Sequence, residues 1–395
     1  MTIRYLDAPP ASADLVIVGG GVVGAATAFH AARAGIRPLI VESRPRLCTL
    51  TTPVAAGAFR LQFDNLEELD LVRESADLFL NFEEITAQRD YPLSVAQQGY
   101  LWLTTDESAV ASQRALVEQL HAWGQTDVEL LSGDETRGRF PWVGPNVLQA
   151  RFRAGDGFLD TKDLTFGLVN GAGADVVTSC AATGFATEGG RLTGVRTSQG
   201  TIDCGAAVIC AGPLSGLVAA EAGLELPIVT VNRQKLVFPD LADVPPGAPM
   251  VIDEDTGAHW RPAVQGAWLL FTDPTTEPSA PTADVPTDHR FAFRLLDPGS
   301  TVGVARVVPF WRDVWERGAD HWYLQAGQYT LTPDYRPIIG PTGIDGLHVN
   351  TGYSGHGIMM GAAGSRVLVE QLTGTGGINP FAPDRTFDTV AQPTL

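Results

Sequence analysis

Apolar positions change their period twice within the first forty residues. Leu15 to Val18 form an unbroken apolar run, Val22 to Ala34 carry apolar residues on one Ala-rich face, and Gly35 precedes a second run, Pro38 to Val41. A short continuous run bounded by glycine predicts a strand buried on both faces, and one-faced spacing predicts a helix. Together they make one β-α-β unit. Farther along, the pattern predicts a helix over 66–89, a strand over Gly99 to Thr104, and an acidic helix over about Asp106 to Trp123. From Asp175 it predicts a strand, a hairpin around Glu188 to Arg191, and a buried strand, Ala206 to Cys210, ending in Ala211, Gly212 and Pro213. Residues 228–325 read as strand-rich, with proline and acidic loops between about Pro274 and Asp288. The turn segment LTPDYRPIIGP, a strand at Leu347 to Asn350 and a helix from Ile358 to Leu372 follow. The tail beyond Gly374 is proline-rich and loop-like.

Composition narrows the classes. A chain of 395 residues exceeds what one core usually supports, so two domains, or one with a large insertion, are expected. The net charge of −18 repels nucleic acid and anionic membranes. Only Lys162 and Lys235 offer an ammonium. Cys48, Cys180, Cys204 and Cys210 lack metal-site or disulfide spacing, which points to a reducing compartment. With no signal-like amino terminus and no apolar run of membrane-spanning length, a cytoplasmic location is expected.

Gly19, Gly21 and Gly24 fit GxGxxG between the first strand and the helix. The first allows a tight turn, the second a close approach of backbone to a pyrophosphate, and the third close helix packing. Glu42 ends the unit 18 residues beyond Gly24. A carboxylate there accepts hydrogen bonds from a ribose diol and repels a 2′-phosphate. The motif predicts dinucleotide binding without separating NAD from FAD.

Four stretches go further: DLVIVGGGVVGAATAFHAARAG with Glu42, GAFR at 57–60, VICAGPLSG at 208–216, and the run from TPDYRPIIGP through GLHVNTGYSGHGIMMGAAGSRVLVEQLTG. Together they resemble the D-amino-acid oxidase superfamily, particularly its sarcosine oxidase and glycine oxidase branch. The ending NPFAPDRTF is also similar. The resemblance implies an α/β fold of two domains: a discontinuous Rossmann-type FAD-binding domain at 1–90, 145–225 and 322–395, and an inserted mixed-sheet substrate domain at 91–144 and 226–321. It implies FAD contacts at Val23 beside the three glycines, at Glu42, Ser43 and Arg44, and at Thr52, Gly57 and Arg60. Further contacts are implied at Ala182, Ala211, Gly212 and Gly327. Gly355, His356, Gly357, Ile358 and Met359 would lie at the pyrimidine end of the flavin, where a helix begins. A helix amino terminus there places N–H donors against the charge of reduced flavin.

The chemistry implied is oxidation of a C–N bond in an amine or amino-acid-like substrate to an imine, with electrons passed to oxygen to form hydrogen peroxide. Arg60, His259, Tyr353 and Met359 are the expected catalytic positions, with Trp260 and Tyr329 on the pocket wall. His356 is expected to act by position rather than by proton transfer. Three departures stand out. Sarcosine oxidases attach FAD through a cysteine at the place of Gly327, so noncovalent FAD is expected here. The family's carboxylate anchors fall at Phe63, Met359 and Tyr329, all uncharged, leaving Arg60, Arg233, Arg261 and Arg306 as candidates and favouring a bulkier or less acidic substrate than sarcosine. The family's oxygen-activating lysine falls at Leu270, which keeps a dehydrogenase open. A hydroxy-acid oxidase of this fold and a flavin-binding subunit of a larger assembly are the other readings.

Overall fold

The computed structural model describes residues 3–318 and 320–388. Within them the continuous apolar runs become the parallel strands Leu15–Val18 and Pro38–Val41, fully buried, joined by the helix Val22–Arg33. These lie inside a seven-stranded sheet in the order Arg4–Tyr5, Asp175–Val177, Pro38–Val41, Leu15–Val18, Ala207–Ile209, Leu347–Thr351 and Ile338–Pro341. The first six are parallel, and the last runs antiparallel to its neighbour. Strands drawn from four separated stretches thus make one sheet. One face is covered by the helices Val22–Arg33, Leu66–Leu80, Thr161–Ala172 and Gly357–Thr373. The other carries a small antiparallel sheet, Ala182–Glu188, Arg191–Thr197 and Gly200–Asp203, whose Phe185, Leu192, Val195 and Ile202 pack on Val16 and Leu39.

A second, eight-stranded sheet runs in the order Tyr323–Leu331, Val229–Phe238, Gly266–Phe271, Ala258–Ala263, Met250–Asp253, Tyr100–Thr104, Gln149–Arg153 and Glu129–Ser132. It is mixed, because Met250–Asp253 and Tyr100–Thr104 are parallel while the other neighbours are antiparallel. Gln149–Arg153 and Tyr323–Leu331 belong to this sheet, although the expected boundaries grouped both with the nucleotide-binding segments. One face of the sheet packs Leu236, Leu269 and Trp260 against Trp311 and the helices Arg290–Leu296 and Phe310–Arg317. The other face looks toward the first sheet and carries the candidate site.

Most expected elements are found within a residue or two. The helix expected over 66–89 is interrupted: Leu66–Leu80 ends at Asn81 and a short turn of helix, Phe82–Thr86, follows. The helices at 161–172, 290–296 and 310–317 were not expected. The loop-like tail is described to residue 388; residues 389–395 lie outside the described residues.

Candidate cofactor and substrate site

The turn after Leu15–Val18 is built from glycines, two of which leave no room for side chains. Gly19 holds φ +117°, and a Cβ on it would lie 2.4 Å from the Cys210 carbonyl oxygen. A Cβ on Gly24 would lie 2.0 Å from the Gly19 carbonyl oxygen, so the helix can seat on the turn only with glycine there. A Cβ on Gly21 would meet only Thr52 Oγ1, at 3.2 Å. Gly21 N-caps the helix without a side-chain cap, and the Val22 N–H donates to Thr52 Oγ1 at 3.3 Å. The rest of the first turn presents bare N–H donors.

Those donors open onto a cleft of 330 Å³ that also takes in Glu42 and Ser43, then Ala182, Ala211 and Gly212, and finally Tyr353, Gly355, Gly357 and Ile358. The two glycine-rich helix starts, more than three hundred residues apart in the chain, therefore line one cleft. The second helix, Gly357–Thr373, is N-capped by His356 and also lacks a side-chain cap. Glu42 is held by hydrogen bonds from the Gly20 and Arg44 N–H groups, each 2.8 Å, and from Ser43 Oγ at 3.2 Å. Its carboxylate is thus fixed at the cleft wall with acceptor capacity to spare.

A smaller cavity of 70 Å³ adjoins the cleft and shares Ala55, Tyr329, Gly355 and Ile358 with it. Its walls are apolar (Tyr100, Trp102, Met250, Ile252, Leu270 and Met359), with Gly57, Arg60, His259 and His356 among them. Arg60 is buried, stacks over Phe63 at 4.2 Å and approaches Met359 Sδ at 3.6 Å. His259 Nδ1 donates to the Gly257 carbonyl at 2.8 Å, which leaves Nε2 as an acceptor. Burial, with a smaller contribution from Arg60, pushes this imidazole down to about 4, so it is neutral near pH 7.

Several expected site residues lie elsewhere. Trp260 sits on the opposite face of the sheet, against Trp311 and Phe310, because side chains alternate along a strand and His259 already faces the cavity. Tyr353 borders the cleft, but its hydroxyl turns away, donating to Asn350 Oδ1 at 2.6 Å and resting on Gly364. Its hydroxyl therefore works in packing rather than toward the cavity. Neither Arg44 nor Gly327 lines the cleft or the adjoining cavity. Gly327 packs on Thr51 and Val54, while its neighbours Gln328, Tyr329 and Thr330 face the cleft.

Among the arginine candidates, Arg306 is bound by Asp253 and Asp255, each at 2.7 Å. Arg261 donates to the Ala56 and Pro262 carbonyls and stacks on Trp268 at 3.8 Å. Arg233 is buried behind Tyr329 and lines a separate outer cavity. Only Arg60 reaches the inner cavity wall. Sequence reasoning missed Glu68, which is buried 3.9 Å from His356 Nδ1, and Thr51, whose hydroxyl ties the cleft to the Gln328 carbonyl at 2.9 Å.

A parallel sheet with a glycine-lined helix start, a fixed acid at the next strand end and a second uncapped helix start on the same cleft defines a dinucleotide-binding protein. The chain belongs to the DAO family of FAD dependent oxidoreductases, whose profile it matches over residues 14–371. It is 27% identical to a glycine oxidase of Pseudomonas putida, over 94% of this chain and 99% of that one. It is 26% identical to FAD-dependent oxidoreductase domain-containing protein 1 of Bos taurus, covering 92% and 82% respectively. An L-proline dehydrogenase from P. horikoshii shares the fold, with a TM-score of 0.83 at 24% identity over 95% of this chain and 98% of that one. The residues present suit FAD: bare N–H donors at both helix starts for the diphosphate and the pyrimidine, Glu42 for the ribose, and glycines where backbone must come close. Among the described residues, no helix is long and apolar enough to cross a membrane.

Proposed function

We propose that the chain oxidises a C–N bond in a small amine or amino-acid-like substrate to an imine, with oxygen taking the electrons as hydrogen peroxide. The observation that carries this reading is the adjoining cavity, walled by Tyr100, Trp102, Met250, Ile252, Leu270 and Met359 and sharing Gly355 and Ile358 with the cofactor cleft. A substrate held there would lie among apolar walls beside the cleft that FAD would fill, a placement suited to removal of a hydride equivalent. Bound FAD would supply the two-electron acceptor. Arg60 brings positive charge for an acidic substituent, and neutral His259 brings an acceptor for an amine N–H. The glycine oxidase relative, matched over nearly its whole length, supports the amine class.

FAD is bound noncovalently in this reading. Gly327 has no side chain to attach it, and burial pushes the Cys48 thiol up to about 11 and the Cys210 thiol up to about 12, leaving both poor nucleophiles. The substrate unit is best drawn by the eight-stranded sheet, as 91–153 and 226–331. Leu270 on the cavity wall favours a second reading, a dehydrogenase. Lys235, its cross-strand neighbour, turns its ammonium to the face of Trp268 at 3.7 Å and to the Pro53 carbonyl at 3.3 Å.

The deciding experiment is anaerobic bleaching of the purified yellow protein by primary, secondary and cyclic amines, beside a hydroxy-acid panel. Amines alone are expected to bleach it. Bleaching only by hydroxy acids, or by nothing, removes the proposal. Admitting air to the reduced protein then separates the two readings, since slow reoxidation selects the dehydrogenase.

A further inference from the structure

Glu68 lies in the first turn of the helix Leu66–Leu80 and is 7% exposed. One carboxylate oxygen is engaged by its own N-cap, Asn65. The other, Oε1, has no hydrogen-bond partner among the described residues, and neither does His356 Nδ1. These two orphaned atoms are each other's near neighbours at 3.9 Å. His356 is also part of the cavity wall beside Arg60 and Met359, edge-on to Phe63. A buried polar atom without a partner costs roughly 1–3 kcal/mol, and here two such atoms face each other. The gap is about an ångström beyond a hydrogen bond, as catalytic contacts often are before substrate closes them.

We propose that Glu68 and His356 form a proton-accepting pair for the substrate amine, a role that rests on the amine-oxidising reading. The substrate ammonium loses its N–H proton to Nε2 of His356, and the Nδ1–H passes to Glu68 Oε1. The imidazole ends neutral in its other tautomer, Glu68 ends as the neutral acid, and the amine gains the free lone pair that hydride loss requires. Charge balances, since one ammonium and one carboxylate become one amine and one carboxylic acid. Burial makes Glu68 a suitable sink: desolvation raises it to about 7, against the lowering influence of Asn65, Arg336 and Arg60 and with a further raise from Asp64. Burial and Arg60 push His356 down to about 3, so the imidazole relays the proton without keeping it.

The test is Glu68→Gln, isosteric and uncharged, with His356→Gln as a second variant. Flavin reduction by a bleaching amine, followed anaerobically against pH, is expected to rise through about 7 in the native protein. Both variants are expected to lose that limb and to reduce about a hundredfold more slowly at neutral pH, with flavin content unchanged in Glu68→Gln. Independently of substrate, infrared spectra below and above pH 7 are expected to show a carboxylic C=O band that titrates in the native protein and is absent from Glu68→Gln. Unchanged pH dependence in Glu68→Gln, or no such band, overturns the pair. If no amine bleaches the native flavin, the amine reading fails and the pair's role fails with it. The infrared band would still report whether Glu68 holds a proton.

Discussion

At the scale of single residues, glycine and arginine placement decides the most. Gly24 is required by contact rather than by backbone angle, since its missing Cβ would sit 2.0 Å from the Gly19 carbonyl. Gly24→Ala forces the helix off the turn and is expected to cost about 1–3 kcal/mol. It should release FAD as well, read as lost yellow colour after gel filtration and a lower melting temperature. Arg261, reasonable from sequence as a carboxylate anchor, is instead spent on two backbone carbonyls and an indole face. Arg261→Met is therefore expected to destabilise by about 2 kcal/mol in urea unfolding while leaving KM for acidic amines unchanged. A KM that rises tenfold without loss of stability would restore the anchoring role.

At the scale of elements, the carboxy-terminal helix Gly357–Thr373 ties the site together. Its amino end faces the cleft, and its body packs on both Val22–Arg33 and Leu66–Leu80. Thr27 of Val22–Arg33, Asn350 of the strand Leu347–Thr351 and Ser365 of this helix make a buried hydrogen-bonded cluster, and Tyr353 completes it by donating to Asn350. Removing that hydroxyl in Tyr353→Phe strands the Asn350 oxygen and is expected to cost about 1–2 kcal/mol in thermal or urea unfolding. Turnover at saturating substrate should be unaffected, because the hydroxyl does not face the cavity. A large loss of kcat with unchanged stability would return Tyr353 to the chemistry. Glu68 and His356 meet where the start of this helix lies against Leu66–Leu80, so a packing interface also shapes the cavity wall.

At the scale of the whole molecule, buried titratable groups set how stability depends on pH. His30 and His259 are pushed down to about 4 and His356 to about 3, chiefly by burial. Each folded value lies below the unfolded one. Their contribution is therefore complete above about 6.5 and is lost as pH falls through the folded values. Glu68 acts in the opposite sense: its folded value of about 7 lies above the unfolded one, so its contribution is present in acid and lost as pH rises toward 7. Three groups outweigh one, and the urea midpoint is expected to fall between pH 6.5 and 4. A flat midpoint across that window would mean these imidazoles are not held neutral.

Much of this architecture was legible from residue order because its signals are local. A β-α-β unit declares itself through apolar runs, helical spacing and glycines within thirty residues, and Glu42 falls where the strand must end. The resemblance at both ends of the chain was enough to name FAD and the amine-oxidising class. Other features were settled by alternation and by packing between distant segments. The period of two sends His259 to the cavity and Trp260 to the core. Sheet pairing takes Gln149–Arg153 and Tyr323–Leu331 into the substrate sheet. The Glu68–His356 contact joins residues 288 positions apart, and no pattern along the chain marks it. Local order thus determined the elements and the dinucleotide-binding turn, because strand, helix and turn preferences act over a few bonds, while FAD came from the family resemblance. Which side chains face the cavity, and which are spent on structure, was decided only by tertiary contact, because burial and hydrogen-bond pairing depend on neighbours that the chain brings from far away.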